Sequence, residues 1–219
     1  MNIKEFNNVK HYNYLDYCDY LQTKYGLGPV SYMTKNWNKN PKASRTAEGL
    51  VAHHKMEDTA IMLGMPMVAK QYPYEWQSKE NLIYCDYLEH FFLHVLIYQY
   101  PSPEKRKIKF GDTSFPIEVG IGGAELIAAT LNDLYSGWFP KQQWQINCCN
   151  RVKNDKETYL AIYQYLLGIK TTYEKTDIAK FISNRFFKSM NAQYGQWDPQ
   201  KNTPLYNEIN KLIQSSKVR

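Results

Sequence analysis

The placement of histidine constrains this 219-residue chain more than any other feature. Four of its five histidines fall between residues 53 and 94: the adjacent pair His53 and His54, then His90 and His94 four residues apart. Imidazole is the commonest metal-binding side chain and also the usual general base near neutral pH. If these side chains act together, the fold must bring the segments around residues 53 and 90 into contact. The spacing therefore predicts both a structure and a chemistry.

The histidines lie in segments whose local structure the sequence predicts. Leu50-Val51-Ala52 is a short apolar run that we interpret as a strand delivering the histidine pair. Residues 81–85 (Asn-Leu-Ile-Tyr-Cys) predict a second strand, and residues 86–99 predict a strongly apolar helix. On that helix His90 and His94 project from one face, one turn apart.

A strand packed on this helix would place His53 beside His90 and His94 as ligands of one divalent cation, with other coordination positions open to phosphate and water. Because adjacent side chains on a strand point to opposite faces, His53 and His54 are not expected to bind the same ion. His54 could then act as a base on water while the ion stabilises charge on phosphate. Asn81 could orient that imidazole, or hold a loop closed through backbone hydrogen bonds. These residues predict metal-dependent hydrolysis of a phosphodiester bond.

In order and spacing, these residues resemble the HNH family of nucleases, whose core is a ββα-metal fold. The family pattern is a histidine pair ending the first strand, an asparagine with apolar residues on the second strand, and a histidine on the helix. Here residues 81–85 resemble the family's Asn-Leu-x-x-Leu-Cys segment, and His90 follows Asn81 by nine residues. His94 adds the HxxxH variant of the colicin-type nuclease toxins.

The resemblance implies a role for each residue. His54 would be the general base and Asn81 its positioning partner. The ligands of one divalent metal ion (Zn, Mg, Mn or Ni) would be His53, His90 and His94. The match covers roughly residues 48–95. The chain departs from the family pattern in two ways. The spacing of 27 residues from His54 to Asn81 exceeds that of the compact family core and requires an inserted helix, predicted near residues 58–70. The cysteine pairs that hold structural zinc in many members are absent.

Three acidic residues near the histidines each allow two interpretations. Glu57 and Asp58 could add a carboxylate to the surroundings of the metal, or could cap a helix, for which Asp58 is well placed. Asp86 could accept a hydrogen bond from a ligand imidazole one turn along the helix, or could be the helix N-cap. A zinc protease is excluded because Phe91, and not glutamate, follows His90.

Basic residues flank the histidine segment on both sides, and the net charge of +6 fits a polyanionic partner. The first run lies at residues 33–47, around Trp37, and the second begins at residue 105. Either run could contact a nucleic-acid backbone or could be a solvated loop. The residues predicted to bind nucleic acid are Lys42, Arg45, Lys105, Arg106, Lys107 and Lys109, with Lys35 and Lys39 as further candidates.

The rest of the sequence predicts helices and one hairpin. Residues 10–25 predict a helix, and residues 108–117 predict a hairpin that turns at Gly111-Asp112. Further helices are predicted at residues 124–134, 156–167 and 178–190, and a last helix is predicted to start at Thr203-Pro204. The four cysteines, which form no CxxC pair, are expected to be reduced and mostly buried.

These patterns predict an α+β fold with a ββα-metal nuclease core embedded in a mostly helical body and an additional β-hairpin. Residues 1–47 would form a helix and a basic connector, and residues 48–100 would form the core. Residues 101–219 would form a mainly helical region that recognises the DNA sequence or forms a homodimer, and this region would pack as one unit with the core. The predicted function is an endonuclease acting on double-stranded DNA, of the restriction, mobile-element or phage type. The alternatives are an RNase or toxin nuclease, and a non-catalytic nucleic-acid-binding module with a structural metal.

The sequence also bears on location. The first residues lack the apolar run of a secretory signal, and no stretch approaches the roughly 18 uninterrupted apolar residues of a membrane span. We therefore expect a cytoplasmic protein with no membrane partner.

Overall fold

Helices dominate the described part of the chain, together with two short pairs of antiparallel strands. The computed structural model describes residues 1–99, 107–110, 113–116, 120–169 and 198–216. The helices are α1 (Ile3–Val9), α2 (Tyr14–Tyr25), α3 (Pro66–Ala69), α4 (Tyr87–Gln99), α5 (Ile121–Tyr135), α6 (Gln143–Val152), α7 (Lys156–Leu167) and α8 (Pro199–Ser216). The strands are β1 (Val51–His54), β2 (Leu82–Cys85), β3 (Lys107–Phe110) and β4 (Thr113–Pro116). This make-up agrees with the predicted α+β class.

The pairing of β1 with β2 sets the direction of the histidine pair. His53 lies opposite Ile83 and His54 lies opposite Leu82, and every residue of β2 is buried. Because side chains alternate along a strand, the two imidazoles lie on opposite faces of the strand pair. The His53 ring lies against α4, and the His54 ring lies on the other side.

A reciprocal pair of hydrogen bonds starts α4. Asp86 Oδ1 accepts from the Glu89 backbone N–H at 2.8 Å, and the Asp86 N–H donates to Glu89 Oε2 at 2.7 Å, which is a capping box. Of the two interpretations of Asp86, the structure therefore shows the N-cap. The helix is buried on nearly all sides, and of its two histidines His94 is buried and His90 is half-buried.

Two glycines allow α5 to lie directly against α4. Gly120 has φ +98°, and a Cβ there would lie 2.7 Å from the His94 carbonyl oxygen. A Cβ on Gly123 would collide with the His94 ring. Because glycine has no Cβ, the first turn of α5 can form a wall beside that histidine.

The segment between β1 and β2 does not form the helix predicted near residues 58–70. It contains a 3-10 turn at Lys55–Asp58 and the four-residue α3. Pro66 begins α3, and Met65 before it is extended, because proline disfavours the helical conformation in the preceding residue. Met62 adopts a left-handed conformation with φ 59°, which also interrupts a helix.

The N-terminal segment also differs from its prediction. A separate helix, α1, precedes the predicted one, which begins at Tyr14 and not at residue 10. An asparagine caps each helix: Asn2 Oδ1 accepts from the Glu5 N–H and Asn13 Oδ1 accepts from the Asp16 N–H, both at 2.9 Å. The Asn13 cap thus starts α2 four residues later than predicted, and α1 was not predicted.

At the C-terminal end, α8 begins at Pro199 and not at Thr203-Pro204. The Asp198 carboxylate starts it earlier, since Oδ1 accepts from the Gln200 N–H at 2.8 Å. Strands β3 and β4 form the predicted hairpin. The helix predicted at residues 178–190 lies outside the described residues.

Helix α4 lies at the centre of the core, where α2, α5, α6 and α7 pack around it. All four cysteines are buried and none forms a disulfide, as predicted. Within the described ranges, no helix has both the length and the apolar character needed to cross a membrane.

Candidate metal centre

Three histidines from β1 and α4 meet in the interior. The ring centroids of His90 and His94 are 5.0 Å apart, and the His53 centroid lies 5.1 Å from each of them. One nitrogen from each ring lies within 4.8 Å of the other two, so the three side chains could hold one metal ion. The structure thus brings together the three residues predicted as ligands.

Tyr14 orients His53. The Tyr14 hydroxyl lies 2.8 Å from His53 Nε2 and 3.0 Å from the Lys55 carbonyl oxygen. The other ring nitrogen, Nδ1, is buried without a hydrogen-bond partner. Such a nitrogen fits a metal ion, and Tyr14 is the kind of partner that orients a ligating imidazole.

Glu57, in the turn that follows β1, lies among these imidazoles. Its Oε2 is 3.5 Å from His53 Nδ1 and 3.5 Å from His94 Nε2. Its Oε1 is 3.6 Å from His54 Nδ1. Of the two interpretations of this residue, the structure therefore shows the carboxylate beside the candidate ligands and not at a helix cap.

Burial keeps the clustered imidazoles neutral. It lowers the pKa of His53 to about 3 and lowers the pKa values of His90 and His94 as well, although the Glu57 carboxylate acts in the opposite direction. A metal ion binds the neutral ring, because a protonated ring has no free lone pair. At neutral pH, therefore, no proton has to leave these rings before a cation binds.

His54 lies outside the three-histidine cluster and is held by a buried glutamine. Gln77 Nε2 donates to the Leu63 carbonyl oxygen at 3.2 Å, so its Oε1 is the atom that faces His54 Nε2 at 3.1 Å. Since that oxygen can only accept, we assign the proton on His54 to Nε2. The Nδ1 lone pair of His54 then faces Glu57 Oε1.

Asn81 contacts the loop before β2. Its Nδ2 donates to the Glu75 carbonyl oxygen at 2.8 Å and to Ser78 Oγ at 3.4 Å. These bonds close the segment that carries Gln77. Of the two roles considered for Asn81, the structure shows the closed loop, and the side chain bonded to the His54 imidazole is Gln77.

A cleft of about 520 Å³ connects the centre to solvent. Its lining includes His90, His94 and Glu57 together with Met62, Met65 and Leu126. The last three are exposed apolar side chains. The described lining contains no lysine or arginine. Phosphate charge at this centre would therefore be neutralised by a bound cation or by basic residues outside the cleft.

The basic residues predicted to bind nucleic acid differ in their contacts. Lys42 is exposed, whereas the Arg45 guanidinium forms two bonds to Glu48, at 2.7 and 2.6 Å, and one to the Tyr25 carbonyl oxygen at 2.6 Å. Arg45 thus makes structural contacts. On the other side of the histidine segment, Lys107 and Lys109 lie on β3, and Lys105 and Arg106 fall outside the described residues.

Three contacts of the centre were not predicted from the sequence: Tyr14, Gln77 and Gly123. Only the glycine had a visible pattern, a Gly-rich turn before a helix. A buried glutamine and a buried tyrosine look like core or loop residues until their neighbours are known. Comparison with models of known families, with curated proteins and with solved structures finds no match.

Proposed function

We propose that this protein is a metal-dependent endonuclease of the HNH type that hydrolyses phosphodiester bonds in double-stranded DNA. The observation that carries the proposal is the junction of β1 and α4. There, three neutral imidazoles converge, and the imidazole of His54 lies 3.6 Å from the Glu57 carboxylate that also approaches two of the three. In this proposal the pairing of β1 with β2, followed by α4, serves as the ββα-metal element.

His53, His90 and His94 would hold the ion. The buried Nδ1 of His53, which has no hydrogen-bond partner, supports this assignment. A bound divalent cation supplies charge stabilisation at the phosphate and at the leaving oxygen. The apolar walls of the cleft would keep bulk water from the phosphate, which strengthens electrostatic interactions at the centre.

His54 would take the proton from the attacking water at Nδ1. Gln77 supports this role, because it accepts the Nε2 proton and so leaves the Nδ1 lone pair free. After the transfer, the new proton on Nδ1 would face Glu57 Oε1, whose negative charge stabilises an imidazolium. The base is thus oriented from one side and stabilised in its charged form from the other.

The test is cleavage of plasmid DNA with added Mg²⁺, Mn²⁺ or Zn²⁺. We expect His54→Ala to lower the rate by about 10²- to 10⁴-fold, the usual cost of losing a general base, while the protein stays folded and still binds metal. His90→Ala and His94→Ala should weaken metal binding as well as cleavage. Cleavage by His54→Ala at the native rate would refute the assignment of the base.

The same assay separates the other functions. A binding module with a structural metal would bind DNA and cleave nothing under any of the metals. An RNase would cleave the RNA of a mixed substrate and leave the DNA intact. Sequencing of the cleaved ends would then distinguish a site-specific enzyme from a toxin-like nuclease.

A further inference from the structure

The Glu57 carboxylate lies beside a buried imidazole nitrogen that has no hydrogen-bond partner. That nitrogen is His53 Nδ1, and Glu57 Oε2 lies 3.5 Å from it. The Glu57 side chain is itself only 18% exposed. A buried polar atom without a partner is unfavourable, and a cation between this nitrogen and the carboxylate oxygen would satisfy both.

The distances match those between two ligands of one ion. A cation bonded at about 2.1 Å to nitrogen and oxygen in tetrahedral geometry separates its ligand atoms by about 3.4 Å. Glu57 Oε2 lies 3.5 Å from His53 Nδ1 and 3.5 Å from His94 Nε2. The carboxylate oxygen therefore lies where a further ligand would be, beside two of the three histidines.

We propose that Glu57 is a fourth protein ligand of the ion held by His53, His90 and His94, through Oε2. A phosphate oxygen or a water would then bind as a fifth ligand. This inference rests on the metal binding in the proposed function and adds a residue to it. With three neutral imidazoles, one carboxylate lowers the net charge of a divalent site from +2 to +1. The second oxygen, Oε1, faces His54 Nδ1 at 3.6 Å, so one carboxylate would contact both the ion and the base.

Three imidazoles and one carboxylate form a mixed nitrogen and oxygen donor set. Such a set suits borderline first-row divalent ions, among them Zn²⁺, Co²⁺ and Mn²⁺. Cobalt is the useful probe, because the visible spectrum of Co²⁺ reports the number and type of its ligands. The metal-free full-length protein can therefore be titrated with Co²⁺, and both affinity and spectrum can be measured without any nuclease assay.

The variants are Glu57→Gln, which keeps the shape and removes the charge, and Glu57→Asp, which keeps the charge and withdraws the oxygen by about one carbon–carbon bond. We expect both to weaken Co²⁺ binding, by at least about 10-fold for Glu57→Gln, and to change the spectrum. The control is Asp19→Asn, which removes a 66% exposed carboxylate that pairs with Lys55, next to the histidine pair. It should leave affinity and spectrum unchanged.

Each outcome has a separate meaning. Unchanged affinity and spectrum in Glu57→Gln would overturn this inference and leave the three-histidine site standing. Wild-type affinity and spectrum in Glu57→Asp would also overturn it, because the residue would then act through its charge alone. If the wild-type protein bound no Co²⁺, Zn²⁺ or Mn²⁺, the proposed function would fail together with the inference.

Discussion

At the scale of single residues, Tyr14 and Gln77 each hold one nitrogen of an imidazole. The Tyr14 hydroxyl lies 2.8 Å from His53 Nε2, and Gln77 Oε1 lies 3.1 Å from His54 Nε2. In both rings Nδ1 is the nitrogen that faces Glu57. Two adjacent imidazoles that are held in the same way can thus be given different chemical roles by their other surroundings.

The role of Gln77 can be tested with a pair of variants. Gln77→Leu leaves the buried Nε2–H of His54 without an acceptor, so we expect cleavage to fall by about 10- to 100-fold, with metal affinity unchanged. Gln77→Glu keeps an acceptor and should retain more activity than the leucine variant. The control is Gln71→Leu at an exposed position. Equal activity in Gln77→Leu and the wild type would show that His54 needs no such partner.

The buried histidines also predict how the metal-free protein responds to pH. Burial lowers the pKa of His53 to about 3 in the folded state and lowers those of His90 and His94. The unfolded chain, with ordinary pKa values near 6.5, then binds more protons than the folded chain below that pH. Stability should therefore be lost as the pH falls below about 6.5, by up to about 1.4 kcal/mol per pH unit for each histidine.

Urea unfolding of the chelator-treated protein between pH 7.5 and 5 measures this effect. His94→Gln should reduce the pH dependence, because it removes one of the buried titrating rings. His11→Gln, at an exposed position, is the matched control and should leave it unchanged. A stability that is flat over this range would contradict burial of the three neutral imidazoles.

At the scale of elements, the centre depends on the contact of α5 with α4. The pairing of β1 with β2 brings His53 to α4, and the first turn of α5 closes the opposite side at His94. These two sides of the site are thus formed by β1 and α5, and not by α4, which carries His90 and His94. The geometry of the site is therefore a property of three elements packed together.

Two neighbouring glycines of α5 offer a matched test. A Cβ on Gly123 would collide with the His94 ring, whereas a Cβ on Gly122 would have nothing within 4 Å. We expect Gly123→Ala to destabilise the protein and weaken metal binding. Gly122→Ala should leave metal affinity intact and stabilise the helix by about 0.5–1 kcal/mol. Thermal unfolding and Co²⁺ titration of both variants measure the difference, and similar behaviour would argue against a close contact at His94.

At the scale of the whole molecule, described basic residues lie outside the cleft at the candidate metal centre. The described lining of that cleft carries no basic residue, although the chain has a net charge of +6. Lys39 and Arg45 line a second cleft, of about 390 Å³, together with the exposed Trp144. Affinity for a polyanion is thus expected to arise away from the proposed catalytic residues.

This separation predicts how salt affects binding. Each phosphate contact contributes a slope of about −0.9 to log affinity against log salt on duplex DNA. Neutralising Lys105, Arg106, Lys107 and Lys109 should therefore flatten the slope by roughly 3 to 4 units, measured in the catalytically inactive His54→Ala protein. His90→Ala should leave the slope of log affinity against log salt nearly unchanged. An unchanged slope after neutralisation would exclude this run from the DNA-binding surface.

The sequence by itself determined the elements of the centre. Apolar runs predicted β1, β2 and α4 to within a few residues, and the four-residue spacing placed His90 and His94 on one helix face. Strand alternation separated His53 from His54. These features follow from the periodicity of each element, which the order of residues along the chain specifies directly.

Only the tertiary structure decided which side chains surround the imidazoles. Tyr14, Gln77 and Gly123 come from three different segments, and their contacts depend on how those segments pack. The predicted inserted helix was wrong because Pro66 and the left-handed Met62 interrupt it, and the 3-10 turn at Lys55–Asp58 carries Glu57 among the histidines. A sequence pattern gives the direction of a side chain relative to its own element, whereas its partner, tautomer and charge state are set by whichever distant segment is packed against it.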